Sequence, residues 1–155
     1  MSNWEPGYPY LIFLLSILAF LFFIKIASYI SGWNNLAKLY QTQEKFEGRK
    51  WFSQRIGFRS ADYGRVVIIG VNNTGLFLGM QLFFKLGHPD LVIPLRELSG
   101  KETAFRLFGK IKLHKYVKVT FESAPGVYIT MAKSLADSIE EVVGNRWKYE
   151  RLQQD

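Results

Sequence analysis

The stretch GRVVIIGVNNTGLFLGMQLFF, residues 64–84, decides the fold of this chain. Its first part, GRVVIIGV (64–71), is a continuous apolar run of strand length, suited to a strand covered on both faces. Asn72-Asn73-Thr74-Gly75 follows, made of residues that tolerate positive φ in tight turns. Leu76, Leu78, Met80, Leu82 and Phe84 then alternate with their neighbours. The spacing predicts a hairpin of Val66–Val71 with Leu76–Phe84, and so a domain founded on antiparallel sheet.

Outward from the hairpin, more short strands follow. In KWFSQRIGF (50–58), Phe52, Ile56 and Phe58 share one face at period two. Leu91 to Leu95 is a short strand whose Pro94 suits an edge or a strand end. A further strand is expected over Ala104 to Phe108. Ile111 to Phe121 alternates, with Ile111, Leu113, Val117, Val119 and Phe121 inward. Pro125-Gly126 makes a turn, and Val127, Ile129 and Met131 mark the last strand. A helix closes the domain. Ser134 and Asp137 fit the capping-box spacing, and Leu135, Ile139, Val142 and Val143 form the buried stripe. Gly144-Asn145 ends it, and Trp147 begins an extension. About seven strands and one C-terminal helix predict an α+β, mainly β unit. Its sheet would be strongly bent or a split barrel, with the helix plugging one open end.

Toward the N-terminus the pattern changes. Tyr10 to Ile30 reads YLIFLLSILAFLFFIKIASYI, and about twenty apolar residues span a bilayer core. Lys25 is its one charge, near one end, where a long stem reaches the interface. Trp4, Tyr8 and Tyr10 lie at one end and Tyr29 and Trp33 at the other, the aromatic belt of a membrane helix. Only Glu5 precedes the span as a charged side chain, whereas Lys25, Lys38, Lys45, Arg49 and Lys50 accompany or follow its end. The positive-inside rule then expects the N-terminus outside and the C-terminal domain in the cytoplasm, at a bacterial inner membrane or a thylakoid-type membrane. A cleaved signal peptide would need a basic start and a small-x-small cleavage site, and neither is well formed here. Ala27/Ser31 and Ser28/Gly32 are small-xxx-small pairs, spaced for close helix approach or by chance.

Trp33, Leu36, Ala37 and Tyr40 recur at helical spacing, predicting a juxtamembrane amphipathic helix. It lies either on the headgroups or against the domain. Thr42 to Gly48 reads as a connector. The expected organisation is an extracytoplasmic segment (1–9), a membrane helix (10–31), an amphipathic helix and linker (32–48), a folded domain (49–144) and a C-terminal extension (145–155).

The hairpin GVNNTGLFLG and the strand VIPLREL (Val92 to Leu98) resemble modules of the pleckstrin-homology and GRAM-like superfamily. The resemblance covers about Trp51 to Gly144 and implies a seven-stranded sheet closed by a C-terminal helix. Phosphoinositide-binding members carry a basic cluster in the first hairpin loop. Here the corresponding loop, Arg59 to Tyr63, has one Arg and one Asp. The chain is also similar to small membrane-anchored bacterial proteins that share an SGWxxLAxxY segment, here Ser31 to Tyr40, a likeness that implies no activity.

Composition narrows the function classes. Cysteine is absent from the 155 residues, which excludes disulfides, thiolate metal sites and thiol catalysis. The two histidines, His88 and His114, lack companion ligands at metal-binding spacing. No G-x-S-x-G elbow occurs, and the glycines near residue 75 lie between two strands, not between strand and helix as a phosphate loop requires. Asn72-Asn73-Thr74 matches a glycosylation acceptor, but the hairpin turn accounts for it. No cofactor, small-molecule substrate or nucleic-acid partner is expected.

Two surfaces remain as binding candidates. The net charge of +7 concentrates partly on one strand face: Lys110, Lys112, His114, Tyr116 and Lys118 fall on the outward side, with Lys101 and Arg106 before them. It would meet anionic lipid or an acidic partner, or serve as solvated edge protection. Phe77 and Phe83 lie opposite the inward set of the hairpin and would form an apolar docking patch unless a helix covers them. The leading expectation is a non-enzymatic, membrane-anchored interaction module, an accessory subunit or assembly factor that docks on a membrane-protein complex. The alternative is a module that binds anionic lipid through the basic face.

Overall fold

The computed structural model describes residues 8–59, 61–107 and 111–152, of which 104–107 and 111–115 are described by backbone alone. The chain opens with α1 (Tyr8–Ser31), 24 residues with almost no polar face. It is long and apolar enough to cross a membrane, and most of its side chains are exposed. Its few buried residues, Ile24, Ser28 and Ser31, recur at i, i+4 and i+7 and so line one stripe.

Gly32 breaks the helix at φ +91°, and α2 (Trp33–Tyr40) follows at once. Its Trp33, Leu36, Ala37 and Tyr40 are buried in the domain core. The amphipathic helix therefore packs against the domain, with no connector between α1 and the core. A β carbon at position 32 would lie 3.1 Å from Val127 Cγ2, and an L side chain rarely adopts this φ, so glycine is required there twice over.

Two sheets build the domain. The first has the antiparallel order β1-β4-β5-β6, from β1 (Arg49–Gln54), β4 (Val67–Val71), β5 (Gly75–Met80) and β6 (Leu91–Pro94). The second has the order β10-β7-β8-β9-β2-β3, from β2 (Gly57–Phe58), β3 (Ala61–Asp62), β7 (Leu98–Leu107), β8 (Ile111–Phe121), β9 (Tyr128–Ala132) and β10 (Lys148–Glu150). Among the described strand pairs, only β10–β7 is parallel. These two sheets do not form a closed barrel. α3 (Lys133–Val143) follows β9 and buries Leu135, Ala136, Ile139 and Val143. The expected N-terminal apolar helix, mainly β domain and C-terminal helix are thus present, with ten strands among the described residues where about seven were predicted.

The hairpin is the centre of the first sheet. Val71, Ile69 and Val67 pair with Leu76, Leu78 and Met80, and all six are buried. The turn is held by the Asn72 side chain, whose Oδ1 accepts hydrogen bonds from the amides of Thr74 (2.9 Å) and Gly75 (3.1 Å). That is the local bonding that makes asparagine a turn residue. β5, however, stops at Met80. The Gln81 amide bonds Val66 O, and Leu82–Phe84 curl into a 3-10 turn, although the apolar alternation continues through them.

Three other local expectations are corrected. Phe52 does not share a face with Ile56 and Phe58: it is exposed while they are fully buried. Ser53 adopts φ +55° and the register shifts between Trp51 and Gln54, which resets the alternation. Ser134 does not cap α3. Its N-cap is Ala132, without a side-chain bond, and Asp137 instead accepts from Lys133 Nζ one turn earlier, at 2.8 Å. Residues 145–150 are integral to the fold, because Trp147 is buried and β10 extends the second sheet along β7.

Candidate functional site: the anchor junction and a basic groove

α1 joins the domain through a small polar cluster inside an aromatic shell. Ser28 Oγ donates to Gly87 O at 2.5 Å, and Ser31 Oγ lies 2.7 Å from Tyr63 Oη. Tyr63 Oη is also 2.9 Å from His88 Nε2 and 3.3 Å from Ala27 O. Trp33 stands above the cluster. Its Nε1 donates to Pro89 O at 3.1 Å, and its ring packs against Phe58, Tyr63 and His88. The small residues Ala27, Ser28, Ser31 and Gly32 thus serve close approach, but of the domain to the helix rather than of a second helix.

His88 is a loop residue by sequence yet only 2% exposed. Burial holds its pKa below the ordinary histidine range. The nearby backbone carbonyls of Leu86 and Phe84 offset part of that effect. Burial likewise pushes the Tyr63 phenol above its usual value, so it stays neutral. Sequence reasoning missed this pair because 25 residues separate its members. The one local signal was the Gly87-His88-Pro89 turn ahead of a strand.

Two predicted contacts change role. Trp33, expected at the membrane interface, is fully buried in the domain. A tryptophan just past an apolar helix suits either place, and here the indole finds both ring partners and a carbonyl inside. Phe77, expected in an exposed docking patch, is 6% exposed. Phe46 of the presumed connector stacks on it at 4.8 Å, and Lys50 Nζ sits 5.2 Å from the Phe77 ring. The cover is thus a loop aromatic, not a helix. Phe83 stays exposed, at 82%. Tyr8, Tyr10, Lys25 and Tyr29 are exposed on α1, and Trp4 lies outside the described residues.

The basic strand face is partly assembled. Lys101 and Lys118 are cross-strand partners, as are Arg106 and Lys112. The register shifts between Phe105 and Arg106, so strict alternation does not carry from Lys118 and His114 to Lys112. Lys110 lies outside the described residues, and Arg106, Lys112 and His114 are described by backbone alone. Lys101 Nζ pairs with Glu150 at 3.3 Å, and Lys118 Nζ stands 4.0 Å over the Tyr128 ring.

Beside Lys118 the second sheet carries a groove of about 410 Å³ lined by Arg55, Arg59, Asp62, Tyr116 and Thr130. A smaller depression of about 360 Å³ continues it along Arg59, Tyr116, Lys118 and Tyr128. Arg55 grips Asp62 through Nε at 3.0 Å, and that guanidinium holds the Asp62 carboxyl below its usual pKa. Arg59 and Lys118 have no such carboxylate among the described ion pairs. The groove can accept an anion through these two, flanked by tyrosine and threonine hydroxyls. Ala61 and Asp62 also border the junction with α1, so groove and junction are contiguous.

Among the described residues, no three His, Asp or Glu side chains gather as a metal-holding group. No protein-family model, curated protein or solved structure matches the chain.

Proposed function

We propose that α1 spans a membrane and that the protein is a non-enzymatic interaction module, an accessory subunit or assembly factor that docks on a membrane-protein complex. The domain, read as pleckstrin-homology-like, stands on the cytoplasmic face. The carrying observation is the rigid junction. Trp33 and Leu36, two and five residues after the helix, are fully buried core residues, and Ser28 and Ser31 of α1 itself bond the domain. A domain so fixed presents one constant surface relative to the bilayer, which suits docking on a neighbour in the same membrane. The apolar length of α1, its terminal tyrosines and the lysines after it support the spanning and the orientation.

Extraction of the full chain from its native membrane in mild detergent, followed by mass spectrometry, tests this reading. A stoichiometric membrane-protein partner supports it. Recovery of the chain alone, both from detergent and after cross-linking in intact membranes, overturns it.

The groove beside Lys118 favours a second reading, binding of anionic lipid. In nanodiscs, hydrogen exchange around Arg59 and Lys118 would slow when anionic lipid replaces zwitterionic lipid, and salt would reverse the effect. Equal exchange in both lipids sinks it.

A further inference from the structure

We propose that the Leu82–Phe84 turn is a second membrane-contact element, entering the hydrocarbon of the leaflet that α1 leaves, with bilayer lipid as its partner. The inference rests on the reading of α1 as a membrane span. Leu82 and Phe83 are 81% and 82% exposed, the most exposed large apolar side chains of the described domain. The third member, Phe84, turns toward α1 and meets Phe20 edge-on at 6.4 Å between ring centroids.

The position of Phe20 sets the depth. A span requires about twenty residues at about 1.5 Å each. Within Tyr8–Ser31, a stretch of that length ends no earlier than about residue 27. Phe20 then lies at least about 10 Å inside the hydrocarbon edge on the domain side. Phe84 packs at that level, and Leu82 and Phe83 extend from the same turn into what would otherwise be water.

The turn is equipped for such surroundings. Amides inside a bilayer need internal partners. Here Phe84 N bonds Gln81 O at 2.9 Å, Lys85 N bonds Leu82 O at 3.3 Å, and His88 N bonds Lys85 O at 3.0 Å. Lys85, at the end of the turn, is paired with Asp90 at 2.8 Å. Gln81, at the start of the turn, points its amide back to Ser53 and Arg65. Between the turn and α1 runs a groove of about 520 Å³ with mostly apolar walls, Phe20, Phe23, Ile24, Val66 and Phe84 among them, bordered also by Asp62, Tyr63 and His88.

The absence of cysteine makes the test direct. Single-cysteine full chains, Phe83→Cys, Leu14→Cys on α1 and Glu141→Cys on α3, are labelled with an environment-sensitive fluorophore and reconstituted in liposomes. Quenching by lipids brominated in the acyl chain is compared with quenching by aqueous iodide. The expected result is at least threefold stronger lipid quenching at positions 83 and 14 than at 141, with iodide acting only at 141. Iodide quenching at 83 equal to that at 141, with position 14 still in lipid, overturns the inference and leaves the anchor intact. Iodide quenching at 14 as well overturns both. Leu82→Cys repeats the measurement at a second exposed position, so that one misplaced label does not decide it.

Discussion

Tyr63 Oη and His88 Nε2 meet at 2.9 Å in the seam between the domain and α1, and neither residue belongs to the helix they help to hold. The bond links the loop before β4 to the loop before β6. Through Ser31 and Ala27 it reaches the helix end. Four predictions test the packing, three of them around this seam.

His88 makes stability depend on pH in a stated direction. Burial lowers its folded pKa, so the unfolded chain gains a proton near pH 6.5 while the folded chain still resists. The contribution is complete above about pH 7 and is lost as pH falls below 6.5, with a slope of at most about 1.4 kcal/mol per pH unit. Denaturant unfolding in detergent at pH 7.5 and 5.5 should show a smaller acid loss for His88→Gln than for the parent chain. Equal losses would mean that the imidazole is not desolvated.

Gly32→Ala should destabilise the chain by about 2 kcal/mol, from left-handed backbone strain plus the approach to Val127. Gly126, also at positive φ but with open space around it, isolates the backbone component. Gly126→Ala should cost less than Gly32→Ala in the same unfolding assay.

Trp33→Phe keeps a ring in the core but leaves Pro89 O without its donor. A buried carbonyl left unpaired costs about 1–3 kcal/mol. Thermal unfolding followed by near-ultraviolet circular dichroism would read the loss. A surface tryptophan at the membrane interface would instead tolerate the change.

Phe46 and Phe77 form a stacked pair outside the main core. Each alanine variant should cost about 3 kcal/mol, and the double variant clearly less than the sum, because removal of one ring already exposes the other. Additive losses in a double-mutant cycle would deny the stack.

The readable parts of the sequence were those in which local chemistry and core burial agree. The Asn72–Gly75 turn has its own side-chain bonds, and Ile111–Phe121 appears as β8 with the predicted bounds. The misread parts carry apolar residues whose partner lies far along the chain. The alternation of Leu82 and Phe84 resembles a strand because periodicity records apolarity, not what covers it. Phe84 faces α1, more than sixty residues earlier. Trp33 fits a membrane interface as well as a core, and only the rings of Phe58, Tyr63 and His88 decide between them. Phe46 sits in a stretch rich in charge, so nothing local marked it as the cover of Phe77. The basic face was grouped by strict alternation, which a bulge interrupts.

The uninterrupted passage from Ser31 through Gly32 to the buried Trp33 has a mechanical consequence. With no slack at this joint, the helix and the sheets turn together as a lever. Membrane helices tilt by about 20° on average, and by more when the bilayer thins. If α1 spans a membrane as proposed, any such tilt would swing the far side of the domain across the membrane surface, making lipid thickness an input that the exposed strands report.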